Sequence, residues 1–116
     1  MSDVETIQRF KAKLADAHSR AELFQRQIAE RQRWIDAAIT EALVRVGALV
    51  ADLSGCSGGI PDILVLYRGK FFLLELKVKN GKLRDSQIEF AKRFPVSVCR
   101  SPREALMAIG VEVEGT

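Results

Sequence analysis

The chain has 116 residues, 47% hydrophobic and 28% charged. That leaves room for one domain of ordinary composition and excludes disorder throughout. No apolar run approaches the roughly 20 residues that span a bilayer. Met1-Ser2-Asp3-Val4-Glu5 lacks the basic start and apolar stretch of a secretory signal, so a cytoplasmic protein without a membrane partner is expected. Two cysteines, Cys56 and Cys99, and a single histidine, His18, exclude a disulfide framework and a Cys/His zinc cluster. The net charge is only +3, but its distribution is uneven. From Leu64 to Arg103 ten basic residues face three acidic ones, an excess that suits a polyanion.

The first 46 residues contain neither glycine nor proline and favour helix. Ser2 or Asp3 is a candidate cap. Ile7, Phe10, Leu14, Ala17, Ala21, Phe24 and Ile28 recur in alternating steps of three and four, a heptad seam that lapses at Arg31. Trp34, Ile35, Ala38, Ile39, Ala42, Leu43 and Val46 continue the helical period with a wider apolar face. The pattern predicts an N-terminal arm over 1–32, suited to pairing as a coiled coil, and a separate domain over 33–116 that opens with a core-packing helix. A bend is expected near Arg31-Gln32-Arg33, and Trp34 is expected as a core or interface anchor.

After Gly47 the texture changes. Residues 48–53 and 63–67 read as strands, separated by the glycine- and serine-rich loop 54–59, which is expected to be flexible and open to close approach by a DNA backbone. Arg68-Gly69-Lys70 is a hairpin connection, and residues 71–78 form the next strand. Asn80-Gly81 marks a turn, a helix spans 85–93 before Pro95, and residues 96–99 make a short strand. Ser101-Pro102 opens a last helix that ends at Gly110. This order predicts an α/β fold, a mixed sheet with helices packed on it.

Glu75 and Lys77 interrupt an apolar strand and, two apart, point to one side of it. A hairpin brings Asp62, at the start of the preceding strand, near Glu75. Two carboxylates without thiol or imidazole are hard oxygen ligands suited to Mg²⁺ or Mn²⁺. Such an ion activates water and polarises a phosphoryl oxygen, and Lys77 is placed to stabilise negative charge.

Pro61-Asp62 followed after twelve residues by Glu75-Leu76-Lys77 matches the PD-(D/E)xK nuclease motif. With Gly59-Ile60-Pro61-Asp62, with Gln87 after a short basic turn, and with the closing strand and helix, residues 38–107 resemble the virus-type replication-repair nuclease (VRR-NUC) family. The resemblance implies a restriction-endonuclease-like αβββαβ core, here carrying a long N-terminal helical arm, and metal-dependent hydrolysis of a DNA phosphodiester. It implies that Asp62 and Glu75 bind Mg²⁺ or Mn²⁺, with the Leu76 carbonyl as a further ligand. Lys77 would position the nucleophilic water, and Gln87 would orient Lys77 or the phosphate. Glu41, on the helix before the first strand, is a further catalytic and metal-ligand candidate. Lys79, Lys82, Arg84 and Arg100 are candidate phosphate contacts. Stand-alone members resemble small phage or bacterial proteins that pair as homodimers and cut branched DNA as Holliday-junction resolvases do. The rival expectations are a nuclease for flaps or ordinary duplex, and a non-catalytic DNA-binding or assembly module on the same fold. Two clustered carboxylates weigh against the module, because they repel phosphate unless a cation intervenes.

Overall fold

A computed structural model describes residues 2–114. The first helix, α1, spans Asp3–Arg45. The chain divides into two units, residues 1–31 and 32–116.

In the first unit the Glu5 amide donates to Ser2 Oγ at 3.2 Å, the capping bond that satisfies one of the orphan donors of a helix start. An in-helix ion pair joins Asp16 to Arg20, and His18 Nε2 lies 3.0 Å from Glu22 Oε1. Every described residue up to Arg31 is exposed, including the seam residues Ile7, Phe10, Leu14, Phe24 and Ile28.

The second unit is built on a sheet ordered β1-β2-β3-β4, where β1 is Leu49–Asp52, β2 Ile63–Tyr67, β3 Lys70–Leu76 and β4 Val96–Cys99. The first three strands are antiparallel neighbours, and β4 lies parallel to β3. A parallel neighbour needs a crossover, which α2, Asp85–Arg93, supplies; α3, Pro102–Ala108, follows. Arg68 and Gly69 both take positive φ in the tight β2–β3 turn, the conformation that matches the twist of a hairpin. The strand expected over 48–53 is shorter by one residue at each end, and the one expected over 71–78 starts one residue earlier and ends two earlier. Lys77 therefore lies just past β3, although its amide still donates to Cys99 O at 3.0 Å.

From Gln32 onward α1 buries Ile35, Ile39 and Leu43, four apart, on Ile63, Val65, Leu74 and Leu76 of the sheet. The helix stops at Gly47, whose φ of +90° lets the Ala48 amide reach Leu43 O, a Schellman-type ending. Trp34 lies outside this stripe and is 71% exposed, so it is not the core anchor its register suggests. No helix among the described residues is long and apolar enough to cross a membrane.

Candidate active site

The β2–β3 register places Ile63 opposite Leu74. One step further out it brings Asp62 beside Glu75 and Leu76. Asp62 Oδ2 accepts the Leu76 amide at 2.7 Å, so the aspartate is fixed by the backbone that carries the glutamate. Glu75 is 2% exposed and faces α2. Gln87 Nε2 donates to Glu75 Oε1 at 2.8 Å, and Gln87 Oε1 accepts the Arg84 amide at 2.8 Å. The first turn of α2 thus fixes which end of the Gln87 amide meets the glutamate. Lys77 Nζ stands 3.8 Å from Glu75 Oε1 and is half-buried.

Burial pushes the Glu75 carboxyl up to about 7, and the hydrogen bond and negative charge of Asp62 add to that, while Lys77 and Arg84 oppose it. A carboxyl taken from water beside a second carboxylate holds its proton.

The close approach of Gly59 to α2 sets this geometry. Gly59 is buried with φ of +78°, and a side-chain carbon there would overlap the Ser86 carbonyl. The glycine is needed for contact with the start of α2, not for approach by DNA, and it seats the Pro61-Asp62 step against that helix. Exposed Gly58, with open space around its α-carbon, retains the looser role.

The structure brings Asp62, Glu75, Leu76, Lys77 and Gln87 together. Gln87 holds Glu75, not Lys77. Lys79, Lys82 and Arg84 are exposed beside the cluster. One candidate is corrected. Glu41 does not reach the site. It lies on the opposite side of α1 from the Ile39–Leu43 stripe, with its side chain 64% exposed, and it accepts Arg45 Nη2 at 2.7 Å. Arg100 is turned inward, its Nη1 donating to Val78 O at 2.8 Å and Gly81 O at 2.6 Å. It pins the turn that carries Lys79 and leads to Lys82.

Gln32 and Asp36 are the residues that sequence reasoning missed. Gln32 Nε2 donates to Leu76 O at 2.9 Å and to Asp36 Oδ1 at 2.7 Å. Burial raises the Asp36 pKa and the charges of Asp62 and Asp52 raise it further, against the Gln32 hydrogen bond. Asp36, Asp52 and Asp62 line a cleft of about 550 Å³ with Thr40, Ser54 and Leu76. The i, i+4 spacing of 32, 36 and 40 puts them on one face of α1, beside the 35/39/43 stripe that packing buries.

Among the described residues no three His, Cys, Asp or Glu side chains converge tightly enough to hold an ion by themselves. The donors present, two carboxylates and the second lone pair of the Leu76 carbonyl, are all oxygen. That set fits Mg²⁺ or Mn²⁺, since Mg²⁺ commonly takes one or two carboxylates and keeps several waters.

A family model described as the VRR-NUC domain matches residues 6–102, a span that reaches further toward the N-terminus than the motifs alone. A solved structure described as a VRR_NUC domain is similar at 28% identity and a TM-score of 0.56, over 68% of this chain and 94% of that one. No curated protein matches.

Proposed function

The chain belongs to the VRR-NUC family, a nuclease family, and from that premise we propose that it is a metal-dependent, structure-specific DNA endonuclease that cuts four-way junctions as a homodimer. The observation that carries the reading is buried Glu75 beside half-buried Asp62, with Lys77 at 3.8 Å from the glutamate. Asp62 and Glu75 would hold Mg²⁺ or Mn²⁺ together with the Leu76 carbonyl. The bound cation supplies Lewis acidity and positive charge at the phosphoryl oxygen.

The remaining work falls to this chain's own residues. Lys77 extends past the end of β3 toward Glu75, where its ammonium holds the attacking water and offsets the charge that grows on the phosphate. Gln87 keeps Glu75 in place, and its own amide is held by the Arg84 N–H. Gln32 fixes the Leu76 carbonyl from the α1 side. Exposed Lys79, Lys82 and Arg84 bind flanking phosphates and set the strand in register with the carboxylates. Two copies would supply the two cuts that resolve a junction.

The test is Asp62→Asn, assayed on labelled four-way junction, flap and linear duplex with Mg²⁺, Mn²⁺ or EDTA. The wild-type chain is expected to make paired, metal-dependent cuts in the junction, and the variant to bind the junction without cutting it. Cuts confined to flaps or duplex would retain the nuclease and overturn the junction assignment. Binding without cleavage by the wild type on every substrate would replace the enzyme with a DNA-binding module.

A further inference from the structure

The seam of the first unit is apolar, regular and exposed, with Phe10 at 65%, Phe24 at 61%, Leu14 at 56% and Ile7 at 53% exposure. From the size order along it, we infer that the arms of two copies pair antiparallel through residues 7–24, each placing its large seam residues against the small ones of the other. The centre of the seam is small, Ala17 and Ala21, and large residues lie toward its ends. In an antiparallel pair the positions whose numbers add to the same value face each other. One register sets Phe10 against Ala21, Leu14 against Ala17 and Ile7 against Phe24, and repeats the same pairs in the other half by symmetry. Every layer except the outermost then matches a large residue with an alanine, as close packing requires. A parallel pair would instead stack Phe10 on Phe10 and Phe24 on Phe24, and leave an alanine-lined void between them. Shifting the antiparallel register by one heptad puts Ile7 against Arg31 and alanine against alanine.

The area is sufficient. The four large seam side chains present on the order of 500 Å² per arm, so pairing removes about 1,000 Å² before the stems of flanking residues are counted, which reaches the size of a specific interface. The flanks set the salt response. Lys13 comes beside Arg20 of the second copy, and Lys11 beside His18. Asp16, paired with Arg20, and Glu22, beside His18, offset part of the basic charge, and added salt screens the rest.

This assembly supplies the two copies of the junction reading and is tested without cleavage, so either can fail alone. In the Cys56→Ser full-length chain, Ile7→Cys combined with Phe24→Cys is expected to give a disulfide-linked dimer under mild oxidation, and Ile7→Cys alone to give none. Light scattering over a concentration series should show a dimer that persists or tightens in higher salt. Phe10→Glu, at an exposed position, should raise the dimer dissociation constant about 30-fold or more. Cross-linking by Ile7→Cys alone would overturn the antiparallel register. A dimer unchanged by Phe10→Glu would place the contact elsewhere. A monomer throughout would overturn self-pairing and leave the basic-flanked seam to an acid-flanked helix of another protein.

Discussion

Glu75 and Glu41 are the same residue in two settings. Glu41 stands on the outer face of α1, mostly exposed, and shares its charge with Arg45. Water and salt leave such a pair worth little. Glu75 stands at the end of β3, buried, held by Gln87, beside Asp62 and within reach of Lys77. There the same carboxyl is pushed up to about 7. Residue type proposes chemistry, and the dielectric and the neighbours decide where it occurs.

Outside the carboxylate pair itself, the largest effect should come from removing Lys77, whose position near Glu75 is the feature that Glu41 lacks. Lys77→Ala should lower single-turnover cleavage by about 100- to 1,000-fold with junction binding little changed. Gln87→Ala leaves Glu75 without its orienting partner. It should cost about 10- to 100-fold in activity or in the Mn²⁺ concentration for half-maximal rate, read by metal titration.

The raised pKa gives a second contrast. The folded, metal-free protein favours protonated Glu75. Its contribution to stability is full below about pH 4.5 and is lost as pH rises through about 7. Denaturant melts in EDTA should therefore lose up to about 3 kcal/mol between pH 5 and pH 8, and Glu75→Gln should flatten that slope. Bound divalent cation requires the ionised form, so its apparent affinity should rise over the same interval. Further from the cluster, Lys82→Ala and Arg84→Ala should each reduce the salt slope of DNA binding by about 1. The smallest effect belongs to Glu41→Gln, with stability changed by less than about 0.5 kcal/mol and cleavage unchanged.

Much of this was legible in the sequence, and the rest was hidden for definite reasons. The strand Ile63–Tyr67, the helix Asp85–Arg93 and the strand Val96–Cys99 end where glycine, proline and turn residues place them. The two-residue hairpin fixes the register that joins Asp62 to Glu75. Helix phase was less readable. Between Trp34 and Val46 apolar residues cover so wide an arc that several faces were open to the sheet. Packing chose 35/39/43, which turned Trp34 and Glu41 outward and Gln32 and Asp36 inward. The Gln32–Leu76 bond spans 44 positions, beyond any local pattern. Arg100 shows the same limit: a charge count treats it as surface, whereas two backbone carbonyls far away in sequence hold it in place.

The most direct measurement sets the two glutamates side by side. Labelled four-way junction is incubated with Mg²⁺ and the wild-type chain, Glu75→Gln or Glu41→Gln, with equal folding checked by circular dichroism. The account predicts equal cleavage by the wild type and Glu41→Gln, and none by Glu75→Gln. Wild-type cutting by Glu75→Gln, or its loss in Glu41→Gln, would contradict it.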